Sequence, residues 1–158
     1  MDKKKAIFLF THDFPYGHGE YFIEKEYTHM VEKFDRVIII NTASDEPQTR
    51  FVGDNTLLYR YPYHCNIFEK ILSFFYVVFS KALYEELKII RSVYHRRVTF
   101  LQIKLIAFSL FKGRKIWSLV RKIIKTQHIE EHDIFLYSYW LDNMAIAIGL
   151  IRKKKSAN

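Results

Sequence analysis

The stretch that decides the fold is AIFLFTHDFPYGHGEYFIEKEYTHMVEKFDRVIIIN, residues 6–41. Residues 6–11 form an apolar run closed by Thr11, the pattern of a strand buried on both faces. Residues 12–19 carry Pro15, Gly17 and Gly19 and predict a loop. After it, Ile23, Tyr27, Met30, Val31 and Phe34 recur at spacings that mark one face of a helix. Glu20 and Glu24 fall in its first turns, where the helix dipole favours acids. Residues 36–41 are a second apolar strand. Strand, glycine loop, helix and strand make a β–α–β unit, which predicts parallel pairing.

Working outward, residues 42–56 are polar, contain Pro47 and Gly53, and predict a loop. Residues 57–62 predict a third strand ended by Pro62. Residues 67–94 are helical in pattern, with Ile67, Ile71, Phe74, Phe75 and Val78 on one face. A second apolar segment covers 98–111 with Lys104 as its one charge. Gly113 is expected to break it. Residues 114–126 are amphipathic, with Ile116, Val120, Ile123 and Ile124 turned inward. Residues 133–138 return to strand character, and 142–155 predict a buried helix with Asp142 as N-cap. The reading is one α/β domain over 1–158, Rossmann-like in three layers around a parallel sheet. A large basic helical insertion occupies about 67–126.

Composition agrees with a packed domain. The chain has 158 residues and is 49% hydrophobic, with 14 Phe and 11 Tyr, which excludes a disordered class. The single cysteine, Cys65, excludes an internal disulfide framework and fits a reducing compartment. The uncharged runs 71–80 and 98–103 fall short of the ~20 residues needed to cross a bilayer. The basic start is followed by too short an apolar run for a secretory signal. The expected location is therefore cytoplasmic. The net charge of +8 is uneven. Residues 81–125 hold 12 Lys/Arg against 2 Asp/Glu, while 1–80 hold 9 against 11. Such asymmetry points to an anionic partner.

Two segments fall at the carboxyl ends of strands, where open parallel sheets bind ligands. They are HDFPYGHGE after the first strand and YWLDN after 133–138. Gly17 and Gly19 permit close backbone approach, and amides opening the next helix favour an anion. The spacing is neither G-x-G-x-x-G nor a P-loop, so a dinucleotide site is not supported. His128 and His132 sit four apart in HIEEH, which lacks the Glu that zinc proteases place directly after the first His; no metal site is expected. The basic insertion mixes aromatic and aliphatic residues with its charge. Of three readings, an ordinary solvated helix face, a nucleic-acid surface and an anionic membrane surface, that favours the last, with Arg114, Lys115, Arg121, Lys122 and Lys125 as the anion-binding set.

The segments FTHDFPYGHGEYFIEKEYTHMVEKFDRVIIIN and LYSYWLDNMAIAIGLIRKKK together resemble the amino-terminal domain of bacterial glycosyltransferases of the GT-B fold, of the family-4 type used in surface polysaccharide synthesis. The resemblance covers about 1–60 and 133–155. It implies half of a GT-B architecture, on the acceptor side. Gly17, Gly19 and Glu20 match the family's glycine loop, with His18 where a small residue is usual. Tyr139 and Trp140 match its strand-end aromatic pair. The implied substrate cleft is Gly17, His18, Gly19, Glu20, Tyr139, Trp140 and Asn143, with catalytic residues unassigned. The implied reaction moves a sugar from a nucleotide-sugar donor to a polysaccharide or lipid-linked acceptor at the inner membrane face. No cofactor is expected. The donor would need a second domain or chain, so this chain is expected to be inactive alone, as a truncation, a domain or one half of a split enzyme. Self-association is a further expectation. The competing readings are a non-catalytic binding module, with a basic helical surface for nucleic acid or a partner protein, and a structural fragment without activity.

Overall fold

The computed structural model describes residues 5–42, 45–61, 66–140 and 144–149. Its elements run β1 (Ala6–Thr11), α1 (Tyr21–Lys33), β2 (Arg36–Asn41), β3 (Thr56–Arg60), α2 (Ile67–Val78), α3 (Lys81–Ser92), α4 (Phe100–Thr126), a 3-10 turn (Glu131–Asp133) and β4 (Ile134–Ser138). The strands form one sheet in the order β3-β2-β1-β4, and every pairing is parallel. The fold is thus α/β and Rossmann-like.

The chain divides into two compact units. The sheet unit holds 1–64 and 120–141, and the helical unit holds 65–119 and 142–158. In the sheet unit, β1 is central and buried along its whole length, and β2 is buried from Val37 on. Their continuous apolar runs have no solvated face to alternate with, as expected of inner parallel strands. Ile7, Leu9, Val37 and Ile39 pack with Ile23, Tyr27 and Met30 of α1. The i, i+4, i+7 spacing read from the sequence is therefore the core face. Phe8, Phe10, Ile38 and Ile40 are fully buried on the opposite side of the sheet. Val120, Ile123 and Ile124, in the last turns of α4, are buried too, and that end is fixed by Arg36 Nη1 donating to the Gln127 carbonyl at 2.8 Å.

Two expectations change. Gly113 does not break the helix, because α4 runs unbroken for 27 residues, about 40 Å at 1.5 Å per residue. One interior glycine costs only ~1 kcal/mol, and the strong helix formers around it outweigh that. The segment 67–94 is two helices, with Ser80 at the N-cap position of the second. The third strand ends at Arg60, and Pro62 lies outside the described residues. So does Asp142, while 144–149 are helical as expected. In the helical unit, Leu83, Ala107 and Leu110 form a small core against which Ile146 packs.

One contact ties the edge strand β4 to α1. The Tyr137 hydroxyl donates to Glu26 Oε2 at 2.6 Å. That bond to a carboxylate, with burial adding to it, raises the Tyr137 pKa from 10.0 to about 12. The fold holds this proton more tightly than the unfolded chain does. The associated stability is fully present below pH 10 and is lost as pH rises toward 12. Urea unfolding across that window should show a steeper loss in the parent than in Glu26→Gln, and equal slopes would refute the coupling.

Candidate functional site

The loop between β1 and α1 is built by local chemistry at the carboxyl edge of the sheet. Thr11 Oγ1 donates to the Phe14 carbonyl at 2.6 Å. Asn41 Nδ2, from the end of β2, donates to the His12 carbonyl at 2.6 Å. Both side chains are buried in an apolar sheet, so their polar groups must find partners there. The turn 46–50 closes the other side. Gly17 N–H donates to the Pro47 carbonyl at 3.3 Å, and Thr49 Oγ1 donates to the Gly17 carbonyl. Arg50 donates to the Gly19 carbonyl at 2.6 Å, pairs with Glu24, and lies 5.1 Å from the Tyr21 ring centre. Gly17 sits at φ +59, in the left-handed region, and an added Cβ there lies 2.5 Å from a Glu46 carboxylate oxygen. A side chain at Gly19 collides with the Asp13 carboxylate.

Glu20 gives the site its character. It adopts φ 57 at the N-cap position of α1, and its carboxylate makes no bond to the helix amides. It turns instead into the loop. Oε1 and Oε2 both accept from His12 N–H at 3.1 Å, and Oε2 also accepts from Asp13 and Phe14 N–H at 2.8 Å. Oε1 takes a fourth donor, Trp140 Nε1–H, at 2.6 Å. The residue is buried. Successive backbone N–H groups of this kind form an anion-binding concavity. Here the chain's own carboxylate fills it, so the amides of residues 12–14 are already engaged. The sequence reading placed an anion at the amides opening the next helix; the concavity lies instead at the loop amides 12–14, and Glu20 is its anion rather than a helix-dipole acid.

That bond fixes Trp140 beside the loop. Trp140 stands 6.1 Å from the His12 ring and 5.5 Å from Tyr139, and Tyr139 stands 4.3 Å from Phe22 of α1. Phe22, Tyr139 and Trp140 are all exposed. The structure therefore brings together Glu20, Tyr139 and Trp140 from the expected cleft, beside Gly17 and Gly19. His18 is exposed on the same loop, and no hydrogen bond or ring contact ties it to that group. Asn143 lies outside the described residues. The sequence reading missed Phe22 and Asn41, and it took in His12 only as part of the HDFPYGHGE loop. Phe22 carried one signal, since it is a large aromatic off the apolar face of its helix, next to a glycine loop. A separate groove of about 530 Å3 lies between α1 and residues 50–53, with Phe14, Tyr27, Arg50 and Phe51 on its walls, and none of the expected cleft residues line it.

The expected anion-binding set lies along α4, with Arg114, Arg121, Lys122 and Lys125 exposed and Lys115 half-buried. Arg114 and Lys115 fall in the helical unit, while Arg121, Lys122 and Lys125 fall in the sheet unit. Lys115 is engaged by Glu69 at 2.9 Å and lies 5.5 Å from the Phe111 ring centre. On the turn before β4, Glu130, His132 and Asp133 bring their ligand atoms within 4.8 Å of one another. The His132 Nε2 lies 3.1 Å from a Glu130 carboxylate oxygen and 3.2 Å from one of Asp133, so each carboxylate has the imidazole as a polar neighbour. Among the described residues, no helix is long and apolar enough to cross a membrane.

Fold and site together define a Rossmann-like α/β protein with a self-filled amide concavity and an exposed aromatic group at the carboxyl edge of its sheet. No family model, curated protein or solved structure matches this chain.

Proposed function

We propose that this chain is the acceptor-side part of a sugar-transferring enzyme, with Phe22, Tyr139 and Trp140 as the surface on which a glycan lies. The observation that carries the reading is the Glu20–Trp140 bond, which holds an exposed aromatic platform at the strand ends. Sugar rings present faces of C–H groups that pack on aromatic rings, while their hydroxyls need polar neighbours. His12 and Tyr139 supply such neighbours at the edge of the platform. The filled amide concavity supports the acceptor role over the donor role, because a nucleotide diphosphate finds no free amides at residues 12–14. Donor binding is assigned to a second domain or chain of a GT-B-type enzyme. The acceptor is a polysaccharide or a lipid-linked saccharide, met at the inner face of the membrane.

Titration of the isolated chain with a panel of neutral and acidic oligosaccharides, read by tryptophan fluorescence, tests this. A saturable change is expected whose affinity falls roughly two- to tenfold in Phe22→Ala, since one aromatic stacking contact contributes roughly 0.5–1.5 kcal/mol. Incubation with UDP-glucose or UDP-galactose should give no transfer. Turnover of a nucleotide sugar by this chain alone, or glycan binding indifferent to Phe22 and Tyr139, would refute the reading.

A further inference from the structure

From Leu87 to Ile129 the chain carries 11 Lys/Arg and no Asp or Glu. The charge also divides with the fold, because the helical unit holds 14 Lys/Arg against 4 Asp/Glu and the sheet unit 11 against 13. Part of this charge gathers at the turn between α3 and α4. Arg91, His95, Arg96 and Arg97 surround a shallow depression of about 450 Å3 there. On the same turn, Val93, Tyr94, Phe100 and Leu101 are between 62% and 71% exposed, and Leu105 follows one helical turn later, also exposed. Large apolar side chains at that exposure, set among guanidinium groups, do not build a core. They fit a surface whose outside is anionic and whose inside is apolar. The same unit exposes a second apolar set on α2, where Phe68, Ile71, Leu72 and Phe75 recur at helical spacing.

We propose that the α3–α4 turn docks the helical unit on an anionic lipid bilayer. Arg91, Arg96 and Arg97 sit among the headgroups, and Val93, Tyr94, Phe100 and Leu101 enter the interface. The charge argues for lipid over a second copy of this chain, since two such turns face to face would bring arginine against arginine. The exposed aliphatic residues argue for lipid over nucleic acid, where base stacking uses aromatic rings and phosphate contacts need no Val or Leu. This surface differs from the one around Arg114 and Arg121 read from the sequence, and it stands independently of the sugar reading.

Co-sedimentation of the full chain with phosphatidylglycerol or phosphatidylcholine vesicles tests it. Binding should favour phosphatidylglycerol and weaken as salt rises. The triple variant Arg91→Gln, Arg96→Gln, Arg97→Gln should bind phosphatidylglycerol roughly 100-fold more weakly. Phe100→Ser with Leu101→Ser should lower binding as well, with unchanged circular dichroism, whereas Lys122→Gln with Lys125→Gln should leave it within about twofold. Equal binding to both vesicle types, or indifference to the triple variant, overturns the proposal. So does a tighter hold on single-stranded poly(dT) that ignores Phe100 and Leu101, or dimerisation lost in Leu101→Ser without any vesicle binding.

Discussion

Replacing Glu20 with alanine is expected to destabilise the sheet unit by about 3 kcal/mol, because the buried carboxylate is the shared acceptor of a four-donor cluster. Leaving one buried donor unpaired costs roughly 1–3 kcal/mol, and water entering the truncated site offsets part of the sum. For a chain of this size the melting temperature should fall by roughly 6–12 °C. Three variants separate the causes. Glu20→Gln keeps one good acceptor and should lose about half as much. Glu20→Gly removes the carboxylate but relieves the left-handed backbone at φ 57, so it should be more stable than Glu20→Ala by ~1 kcal/mol. The tryptophan emission should shift to longer wavelength in all three as the indole loses its partner. A loss below about 1 kcal/mol in Glu20→Ala would show that the cluster does not hold the loop.

The second large effect is expected at Phe8, whose replacement by alanine should cost about 3–5 kcal/mol. Phe8 is fully buried at the middle of β1, level with Ile38 of β2 and Leu136 of β4. Both neighbouring strands lie close beside it, so the sheet cannot collapse into the void without losing register. The cavity term therefore adds in full to the transfer term. Phe135, one residue from the level of Phe8 but on edge strand β4, is about half exposed. Phe135→Ala should cost under about 1 kcal/mol. Urea unfolding of the two variants gives the comparison directly, and similar midpoints would contradict a core centred on β1.

Much of the sheet unit was legible because its signals are local. Ile7 to Phe10 and Val37 to Ile40 read as inner strands from composition alone, since a strand covered on both faces has no reason to alternate. The helical face of α1 followed from spacing. Gly113 misled for a physical reason, since a single glycine is a modest penalty and a 27-residue helix averages over it.

What the sequence by itself determined is the α/β class, the parallel β–α–β core, the glycine loop at the strand end and the excess of positive charge. Each follows from periodicity, glycine content or counting, and each is a property of neighbours along the chain. The tertiary structure alone decided the pairing of Glu20 with Trp140, 120 residues apart, and the filling of the amide concavity at residues 12–14 by the Glu20 carboxylate. It also decided that Arg91, Arg96 and Arg97 gather beside the exposed Val93, Tyr94, Phe100 and Leu101 at the α3–α4 turn. Both outcomes depend on which distant side chains reach the same point in space. Sheet order and helix packing set that, and no spacing rule encodes it.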